Sequence, residues 1–441
     1  MVHGRFEFWV RQEVLGPVVR RAAPLIYWAA YLWRRLLFRT TFIGVTGSLG
    51  KTTTKELLAG ILSTRWPTFR TYRNQNATAA VALNILRVRP WHRLAVLEVA
   101  AAAPNSMRRS ASLLRPDAAI ILNVLNTHST EYASLEQHAA EKEELLRWVR
   151  PGGFAVLNVD DDLVHRMAAA APCRIVTAGA SRPAGYRATR IAARWPQRLS
   201  FHLEHAGHCL RVQTQLAGAH WQPSVAAAIA LAHSLGFDLE QAVEAAAKTP
   251  PFAGRLQPVQ VPGGAVFLRD DYNASIDTIE TSVRILEEAA AARRLLVITD
   301  LSDFGKNRKQ RLKYLAGLSP RAVEALVLVG ESADYGRRRA IDQGLAPDHV
   351  HAFADIQSAA EFLRRELRAG DLALLKGRTT DHAARLFFAQ IGNVGCWKQY
   401  CPKRMLCDIC WELDVTPEQM KRAVLVPPPT SSPAPPTVLA S

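Results

Sequence analysis

The sequence has few cysteines and no long apolar run, and these shortages exclude two classes of protein. Of its 441 residues, six are cysteines. No secretory signal opens the chain, so we expect a reducing cytoplasm and no disulfide framework. The apolar stretch 22–33 has twelve residues, whereas a helix needs about 20 to span a bilayer. With 49% hydrophobic and 21% charged residues, the sequence predicts a globular cytoplasmic protein.

Acidic residues are also in short supply. The chain has 39 Asp and Glu residues against 55 Lys and Arg residues, which gives a formal net charge of +16. Such an excess indicates an anionic partner, which could be a nucleotide, a nucleic acid or a membrane surface, and charge alone does not choose among them.

The arginines are dense at the start of the chain. Residues 1–40 contain seven arginines against Glu7 and Glu13, and the stretch 22–33 between two arginine pairs is rich in Tyr and Trp. This pattern is typical of a helix that lies in a membrane interface. The same residues could instead form a helix that packs on the following domain, and both placements stay open.

A phosphate-binding loop follows, with the sequence Thr-Gly-Ser-Leu-Gly-Lys-Thr-Thr at 46–53. It comes after a short apolar run and leads into a stretch with helical spacing, so it predicts a strand, a glycine loop and a helix. The generic P-loop spacing would place a glycine at position 45, where Val45 stands. The glycines would turn backbone N–H groups onto phosphate, Lys51 would add a charge, and the Thr52 hydroxyl could hold Mg²⁺.

Three later segments carry candidate metal or phosphate groups. The predicted strand 94–99 contains Glu98, and carboxyl ends of parallel strands collect ligands. A second predicted strand, 118–124, runs toward His128, and Lys142 lies in a glutamate-rich helix. Each has an ordinary alternative: Glu98 could cap a turn, His128 could be structural, and Lys142 could lie on a solvated helix face.

Together these segments resemble the Mur ligase family, and within it the UDP-N-acetylmuramoyl-tripeptide–D-alanyl-D-alanine ligase branch. The matched features are the loop 46–53, the Asn-Gln-Asn loop 74–76, Glu98, the segment 123–128 and the Glu-Lys-Glu of 141–143. The resemblance implies that Glu98 and His128 help bind Mg²⁺. It also implies that Lys142 is carbamylated and supports a second metal.

The resemblance continues to about residue 390, with two departures. Trp221 follows His220 where the family usually has an asparagine, and the Lys-Gly-Arg corner at Lys376 lacks a serine. The implied catalytic residues are Lys51, His128 and Lys142. The implied nucleotide-binding residues are Gly47, Ser48, Gly50, Lys51, Thr52, Thr53, Asn76, His220, Arg255, Asp270, Tyr272, Asn273 and Lys376. The implied Mg²⁺ ligands are Thr52, Glu98, His128 and Lys142.

The resemblance implies an α/β fold: a central P-loop ATPase domain with a mostly parallel sheet and helices on both faces, then a smaller Rossmann-like α/β domain. The branch's N-terminal domain for the UDP-sugar has no counterpart among residues 1–40, which puts that substrate in doubt. The expected segments are an arginine-rich amphipathic helix (1–40), the central domain (41–250), the C-terminal domain (251–392), a Cys-rich extension (393–422) and a disordered Pro/Ser/Thr tail (423–441).

The implied function is ATP-dependent amide-bond formation. A carboxylate would be activated as an acyl phosphate and attacked by an amine, with release of ADP and phosphate. One alternative is a degenerate ligase fold that serves as a nucleotide-binding scaffold at a membrane or partner protein. A nucleic-acid-binding protein is a weaker alternative, which would require affinity that falls steeply with salt.

Four cysteines cluster beyond the family fold, at Cys396, Cys401, Cys407 and Cys410. Four thiolates within fifteen residues could hold one Zn²⁺, because the Cys-x2-Cys half is a good chelate. Iron–sulfur ligation is a weaker possibility. Buried or free thiols in a tail helix are the remaining alternative.

Overall fold

The fold is known from a computed structural model, which describes residues 22–73, 75–125, 132–299, 308–318, 323–398, 401, 403 and 405–429. The strands are β1 (Thr41–Thr46), β2 (Thr68–Arg70), β3 (Leu94–Glu98), β4 (Ala118–Ile121), β5 (Phe154–Asn158), β6 (Arg174–Gly179), β7 (Tyr186–Ala192), β8 (Ser200–His205), β9 (His208–Gln213), β10 (Gln257–Gln260), β11 (Val266–Asp270), β12 (Arg293–Ile298), β13 (Ala325–Val329), β14 (Val350–Phe353), β15 (Asp371–Lys376) and β16 (Val424–Leu425). The α-helices are α1 (Ala23–Leu36), α2 (Lys51–Ser63), α3 (Thr78–Arg87), α4 (Ser106–Leu114), α5 (Leu135–Arg147), α6 (Asp162–Arg166), α7 (Gln222–Ser234), α8 (Leu239–Lys248), α9 (Ile276–Glu288), α10 (Arg308–Leu318), α11 (Ala333–Asp342), α12 (Ile356–Glu366), α13 (Ala384–Ile391) and α14 (Pro417–Met420).

The first sheet has the order β2-β3-β1-β4-β5-β6-β7-β8-β9. Its strands from β2 to β7 pair in parallel, and β8 and β9 are added antiparallel. Apolar clusters lie on both faces: α2, α7 and α8 cover one, and α1, α3, α4 and α5 cover the other. Helices on both faces explain why β1, β3 and β4 read as continuous apolar runs. The predicted mostly parallel central domain is confirmed.

The strand order places a crevice beside β1. After β1, the chain forms β2 and β3 on one side of β1. It then crosses over and forms β4 on the other side of β1. Ligands of open α/β sheets bind at the carboxyl ends of strands where the order reverses in this way. The pairing of Val45 with Glu98 in β1 and β3 brings the carboxylate to the same edge as the phosphate loop.

The second sheet has the order β14-β13-β12-β15-β11-β10-β16. Strands β14 to β11 pair in parallel, whereas β10 pairs antiparallel with both β11 and β16. Its two faces are covered by separate apolar clusters, one of which includes Trp195 and Ala217 of the first domain. The predicted Rossmann-like C-terminal domain is confirmed.

The predicted disorder from residue 423 is wrong for the first residues of that segment. Val424 and Leu425 form β16 and pair with Gln260 and Val259. The Arg198 guanidinium also donates to the carbonyl of Val426 at 2.8 Å. The edge strand β10 has backbone groups that need partners, and these few residues supply them.

The Cys-rich extension is tied to the C-terminal domain by buried charge. Arg269 in β11 makes a two-pronged ion pair with Asp408 at 2.7 and 2.9 Å and also binds Asp271 at 3.0 Å. Arg385 in α13 donates to the carbonyls of Cys396 and Lys398. These contacts fix the extension beside the residues that follow β11.

Helix α1 packs on the central domain, which confirms one of the two predicted placements. Its Ala30 is fully buried, and the Trp33 indole donates to the Val88 carbonyl at 2.9 Å. Arg34 donates to the carbonyls of Leu114 and Arg115 at 2.7 Å. Within the described part of the chain, helices fall short of the length and apolarity that crossing a membrane requires.

Candidate active site

The phosphate loop joins β1 to α2 through two glycines with positive φ. Gly47 has φ +154° and Gly50 has φ +85°, and a Cβ at Gly50 would lie 2.6 Å from the Ser224 hydroxyl oxygen. Only glycine adopts these conformations without strain and fits that space. Val45 is a fully buried residue of β1, so the departure from the generic P-loop falls within the strand and leaves the loop's glycines in place.

Lys51 begins α2 and turns back over the loop. Its Nζ donates to the carbonyls of Gly47 at 2.6 Å and Ser48 at 3.0 Å. Burial lowers the pKa of Lys51, Glu98 opposes that shift, and Arg255 adds to it. The ammonium therefore lies where the loop, Glu98 and an arginine of the C-terminal domain converge.

Glu98 is held by two neutral donors. The Thr52 hydroxyl donates to Oε2 at 2.9 Å and the Asn76 amide donates to Oε1 at 2.7 Å. The carboxylate belongs to a residue that is 1% exposed. A buried anion of this kind gains from a nearby cation. Sequence reasoning placed all three residues in the site, and the structure brings them together.

Asn123 is a site residue that the sequence analysis did not assign individually. Its backbone carbonyl accepts from Ser48 N–H at 2.9 Å, and its side-chain oxygen accepts from Leu49 N–H at 2.8 Å. It thus fixes the tip of the phosphate loop from the neighbouring strand end. The available signal was an amide residue directly after an apolar strand.

Lys142 lies inside the protein, not on a solvated helix face. It is 2% exposed, and its Nζ lies 2.9 Å from Nε2 of His138, one helical turn earlier. His138 Nδ1 lies 3.2 Å from the Leu125 carbonyl, and the Tyr132 ring stacks on the imidazole. Burial, together with the charge of Lys51, holds the pKa of Lys142 well below its ordinary value.

His138 was not predicted, although its spacing of four residues before Lys142 places both on one helix face. Glu141, by contrast, points away from Lys142 toward α4, where it accepts from the backbone N–H groups of Asn105 and Met107. The predicted metal ligand His128 lies outside the described residues.

The loop opens into a cavity of about 300 Å³ shared by the two domains. The central domain supplies Ser48, Leu49, Gly50, Lys51, Thr52, Thr53, Asn76, Glu98, Ala100, Ala102 and Trp221, and the C-terminal domain supplies Arg255, Tyr272, Asn273 and Thr379. The Arg255 guanidinium lies 4.6 Å from the centre of the Tyr272 ring. The cavity is therefore a cleft with phosphate-binding groups on one wall and a cation with an aromatic ring on the other.

Three residues predicted to contact the nucleotide are not among the residues that line the cavity. Asp270 and Lys376 are paired in the register of β11 and β15, and their side chains form a buried ion pair that Ser282 joins at 2.7 Å. His220 is half-buried, near Asp270 and Lys376. Because adjacent strands place Asp270 and Lys376 side by side, each satisfies the other's charge inside the protein. The assignment of these three to the nucleotide therefore stays a prediction.

Trp221 reaches the cavity from the turn before α7. Its ring lies 4.2 Å from that of His220 and is 6% exposed. Its indole N–H is buried, and no hydrogen-bond partner for it lies among the described residues. The residue that replaces the expected asparagine thus adds an aromatic side chain to the cavity lining.

The half-buried His220 predicts a loss of stability in mild acid. Burial lowers its pKa from 6.5 to about 4. At pH values between these two, the histidine is protonated in the unfolded chain and neutral in the folded chain. The free energy of unfolding should fall by about 2 kcal/mol on this account between pH 7.5 and 5. Urea denaturation at both pH values checks this with His220→Gln, which should lose that part of the pH dependence. The control His165→Gln changes an exposed histidine and should keep the pH dependence of the wild type. Equal pH dependence in the two variants would contradict the assignment of this effect to His220.

The four clustered cysteines share one small cavity of about 10 Å³. Cys401, Cys407 and Cys410 are buried and Cys396 is partly exposed; none is in a disulfide. Burial raises the pKa of the Cys407 thiol, and its Sγ lies 3.2 Å from Nδ1 of His382. Within the described residues, however, no group of three or more His, Cys, Asp or Glu side chains could hold a metal ion. The four cysteines are therefore close to one another, but their side chains are not arranged to bind a metal ion.

Comparison with known protein families gives two matches. The family described as "Mur ligase middle domain" matches residues 45–232. The family described as "Mur ligase, glutamate ligase domain" matches residues 254–379.

Curated relatives agree with these matches. The UDP-N-acetylmuramoyl-tripeptide–D-alanyl-D-alanine ligase of Escherichia coli is 30% identical over 275 residues, which are 62% of this chain and 60% of that protein. The enzyme of the same name from Mycobacterium tuberculosis is 28% identical over 357 residues, covering 76% of this chain and 70% of that protein. The chain thus spans three fifths of the length of the first relative.

Solved structures show the same fold. MurF from Acinetobacter baumannii superposes with a TM-score of 0.76 at 27% identity and covers 82% of this chain and 79% of its own. MurF from Thermotoga maritima in complex with ADP superposes with a TM-score of 0.70 at 21% identity, covering 82% of each chain. At 21% identity, the second match shows a similar fold and nothing more.

Proposed function

Because the chain belongs to the Mur ligase family, we propose that it is an ATP-dependent ligase that joins a carboxylate to an amine. The observation that carries this proposal is the cavity in which Lys51, Thr52 and Glu98 face Arg255, Tyr272 and Asn273 of the other domain. A two-walled site of this kind can hold a nucleotide and bring an acceptor to its terminal phosphate. The relatives named above are ligases, and the proposed reaction class is theirs.

We assign ATP to the cleft with its phosphates on the loop 46–53. Backbone N–H groups and the N-terminus of α2 favour anionic phosphate oxygens. Lys51 supplies a full positive charge in the same place. Arg255, Tyr272 and Trp221 lie within the lining of the cavity, where a guanidinium and aromatic faces can receive the nucleotide's anionic and planar parts.

The donor set fits Mg²⁺. Thr52 and Glu98 offer oxygen ligands, and Mg²⁺ is usually held by one or two carboxylates together with substrate phosphates. Glu98 has neutral hydrogen-bond partners in Thr52 and Asn76, so a cation would compensate its charge. We assign Thr52 and Glu98 as residues that would hold Mg²⁺. His128 and Lys142 are the two further metal-binding residues that the family resemblance implies. When bound, Mg²⁺ would neutralise phosphate charge.

The reaction proceeds in two steps. A carboxylate oxygen attacks the γ-phosphorus, the bond from that phosphorus to the β-bridging oxygen breaks, and ADP leaves. The amine nitrogen then attacks the acyl carbon, a proton is released, and phosphate departs with one former carboxylate oxygen. Lys51 stabilises the charge that shifts during the first step, since two anions must be pressed together. Closure of the domains would exclude the water that hydrolyses an acyl phosphate.

The substrates are proposed to be of the peptide class. The relatives' names state a UDP-N-acetylmuramoyl-tripeptide and D-alanyl-D-alanine, and this pair heads the panel to be tested. The panel should also contain peptide carboxylates without the UDP-sugar, because the chain matches only 60% of the length of that relative. We place the enzyme in the cytoplasm, where ATP is available.

The experiment is incubation of the purified protein with ATP, Mg²⁺ and pairs from the panel, with ADP, phosphate and amide product as readouts. Release of ADP and phosphate that depends on both a carboxylate and an amine is the expected result. ATP hydrolysis that no pair stimulates, or nucleotide binding without turnover for any pair, would favour the scaffold alternative.

A separate prediction concerns Cys396, Cys401, Cys407 and Cys410, which we propose bind one structural Zn²⁺. The support is their common small cavity. Binding would require the four sulfurs to draw together into a tetrahedral set, and the free energy of metal binding would then stabilise the extension.

Elemental analysis of protein purified without chelator should show about one zinc per chain by the four-ligand argument. Cys407→Ser with Cys410→Ser should lose the metal, and ATP turnover should remain. The matched control is Cys209→Ser, which changes an exposed cysteine outside the cluster. Metal-free wild-type protein with freely titratable thiols in the cluster would refute the zinc proposal.

A further inference from the structure

The outer face of α1 is apolar and exposed. Leu25, Trp28, Leu32 and Leu36 are 72%, 64%, 39% and 66% exposed, and Phe38 just beyond the helix is 78% exposed. The first four recur at spacings of three and four residues, so they form one stripe along the helix. A contiguous apolar stripe of this kind on a globular protein marks an interaction surface.

The rotation of α1 is fixed by its other face. Ala30 and Leu37 are buried in the cluster that covers the central sheet, with Ile26, Tyr27 and Trp33 packed against it. The hydrogen bond from the Trp33 indole to Val88 and the ion pair of Arg34 with Asp117 add polar anchors. The helix cannot turn its outer stripe inward without breaking these contacts.

Positive charge borders the stripe. Arg35 and Arg39 are exposed. The Arg35 guanidinium lies 4.1 Å from the centre of the Tyr31 ring, and that of Arg39 lies 5.6 Å from the centre of the Phe38 ring. The sequence just before α1 adds Arg20 and Arg21. Arginines therefore flank the apolar stripe at both of its ends in the sequence.

We propose that this stripe docks the enzyme on an anionic membrane surface, with α1 parallel to the bilayer. Leucine and tryptophan side chains would enter the boundary between headgroups and acyl chains, and the arginines would pair with anionic headgroups. Arginines near such a surface are attracted to its negative potential, and salt screens that attraction. The proposal is independent of the ligase reaction, because the stripe lies outside the cavity.

Charge favours a lipid surface over a second copy of the chain. A two-fold interface through the stripe would bring together the same patch of each copy. The arginines that flank the two stripes would then be gathered at one interface, without acidic residues in α1 to offset them. An anionic surface offers the opposite charge to the same arginines.

The test uses the full chain and vesicles of phosphatidylcholine with and without about 30% phosphatidylglycerol, an anionic content at which polybasic surfaces bind. Co-sedimentation should show binding to the anionic vesicles that weakens as salt rises. Trp28→Ser with Leu32→Ser should reduce partitioning at least about 10-fold, given the apolar area lost. Arg35→Gln with Arg39→Gln should reduce binding to anionic vesicles and flatten the salt dependence.

The matched control is Trp411→Ser, which removes a tryptophan that is 54% exposed in the Cys-rich extension and should bind vesicles as wild type does. Thermal melting and light scattering after gel filtration accompany each variant. Absence of binding to anionic vesicles, or equal loss in Trp411→Ser, would overturn the proposal. So would a wild-type dimer that Trp28→Ser with Leu32→Ser converts to a monomer, since a second copy would then cover the stripe.

Discussion

Lys51→Ala should lower kcat by about 1,000-fold, because removal of a charged donor from the transferring phosphate costs roughly that much. The ammonium is held over the loop by the carbonyls of Gly47 and Ser48, which is the loop to which we assign the phosphates. Loss of an interaction made mainly in the transition state should lower kcat and kcat/KM together. Steady-state release of ADP checks the prediction.

The control for Lys51→Ala is Lys248→Ala on α8. The Lys248 side chain is 73% exposed and pairs with Glu244 on the same helix, so its loss should leave turnover unchanged. Thermal melting of both variants separates lost chemistry from lost folding. Near-normal kcat in folded Lys51→Ala would remove this lysine from the proposed mechanism.

Lys142→Ala should be nearly inactive and partly restored by formate or acetate. The family resemblance implies a carbamate on this lysine, and burial favours the neutral amine by holding its pKa well below the ordinary value. The neutral nitrogen is the form that attacks CO₂: an N–C bond forms and a proton goes to solvent. A small carboxylate occupying the truncated space could then supply the missing anion.

Carbon-13 NMR after incubation with labelled bicarbonate should show a carbamate signal in the wild type that is absent in Lys142→Ala. Arg147→Ala is the matched control, since its side chain lies on the same helix, is 56% exposed and pairs with Glu143. That variant should keep both signal and activity. An active Lys142→Ala, or an inactive one that no small carboxylate restores, would contradict the metal-supporting role.

Local motifs made the phosphate loop predictable. The glycines at 47 and 50 and the lysine that follows are adjacent in the chain, and the strand that carries Glu98 could be recognised from its apolar run. The loop and Glu98 come together because β1 and β3 pair in parallel. The alternation of apolar strands and helices in the sequence predicts such a parallel sheet. The contact of Thr52 with Glu98 follows from that pairing.

Contacts between distant segments were harder to predict. Asn123 binds Leu49 across 74 positions, and nothing in local spacing identifies such a partner. Asp270 and Lys376 matched family motifs, yet the register of β11 and β15 pairs them with each other. Strand register depends on the whole sheet and cannot be read from either segment alone.

The ends of the chain illustrate the same limit. The apolar and arginine pattern of α1 fitted both packing and an interface, and the structure shows that one helix has a buried face and an exposed apolar face. The composition after residue 423 indicated disorder, but Val424 and Leu425 find an edge strand. A two-residue strand carries too little pattern to be predicted without its partner.

The most direct test of the central claim follows the oxygen atoms. The protein would be incubated with ATP, Mg²⁺, an amine and a carboxylate labelled with oxygen-18, chosen as the pair that stimulates ADP release. An acyl-phosphate route predicts that ADP is the nucleotide product and that each released phosphate carries one labelled oxygen. In the control with an unlabelled carboxylate, the phosphate should carry no label. AMP with pyrophosphate, or amide product with unlabelled phosphate, would contradict it.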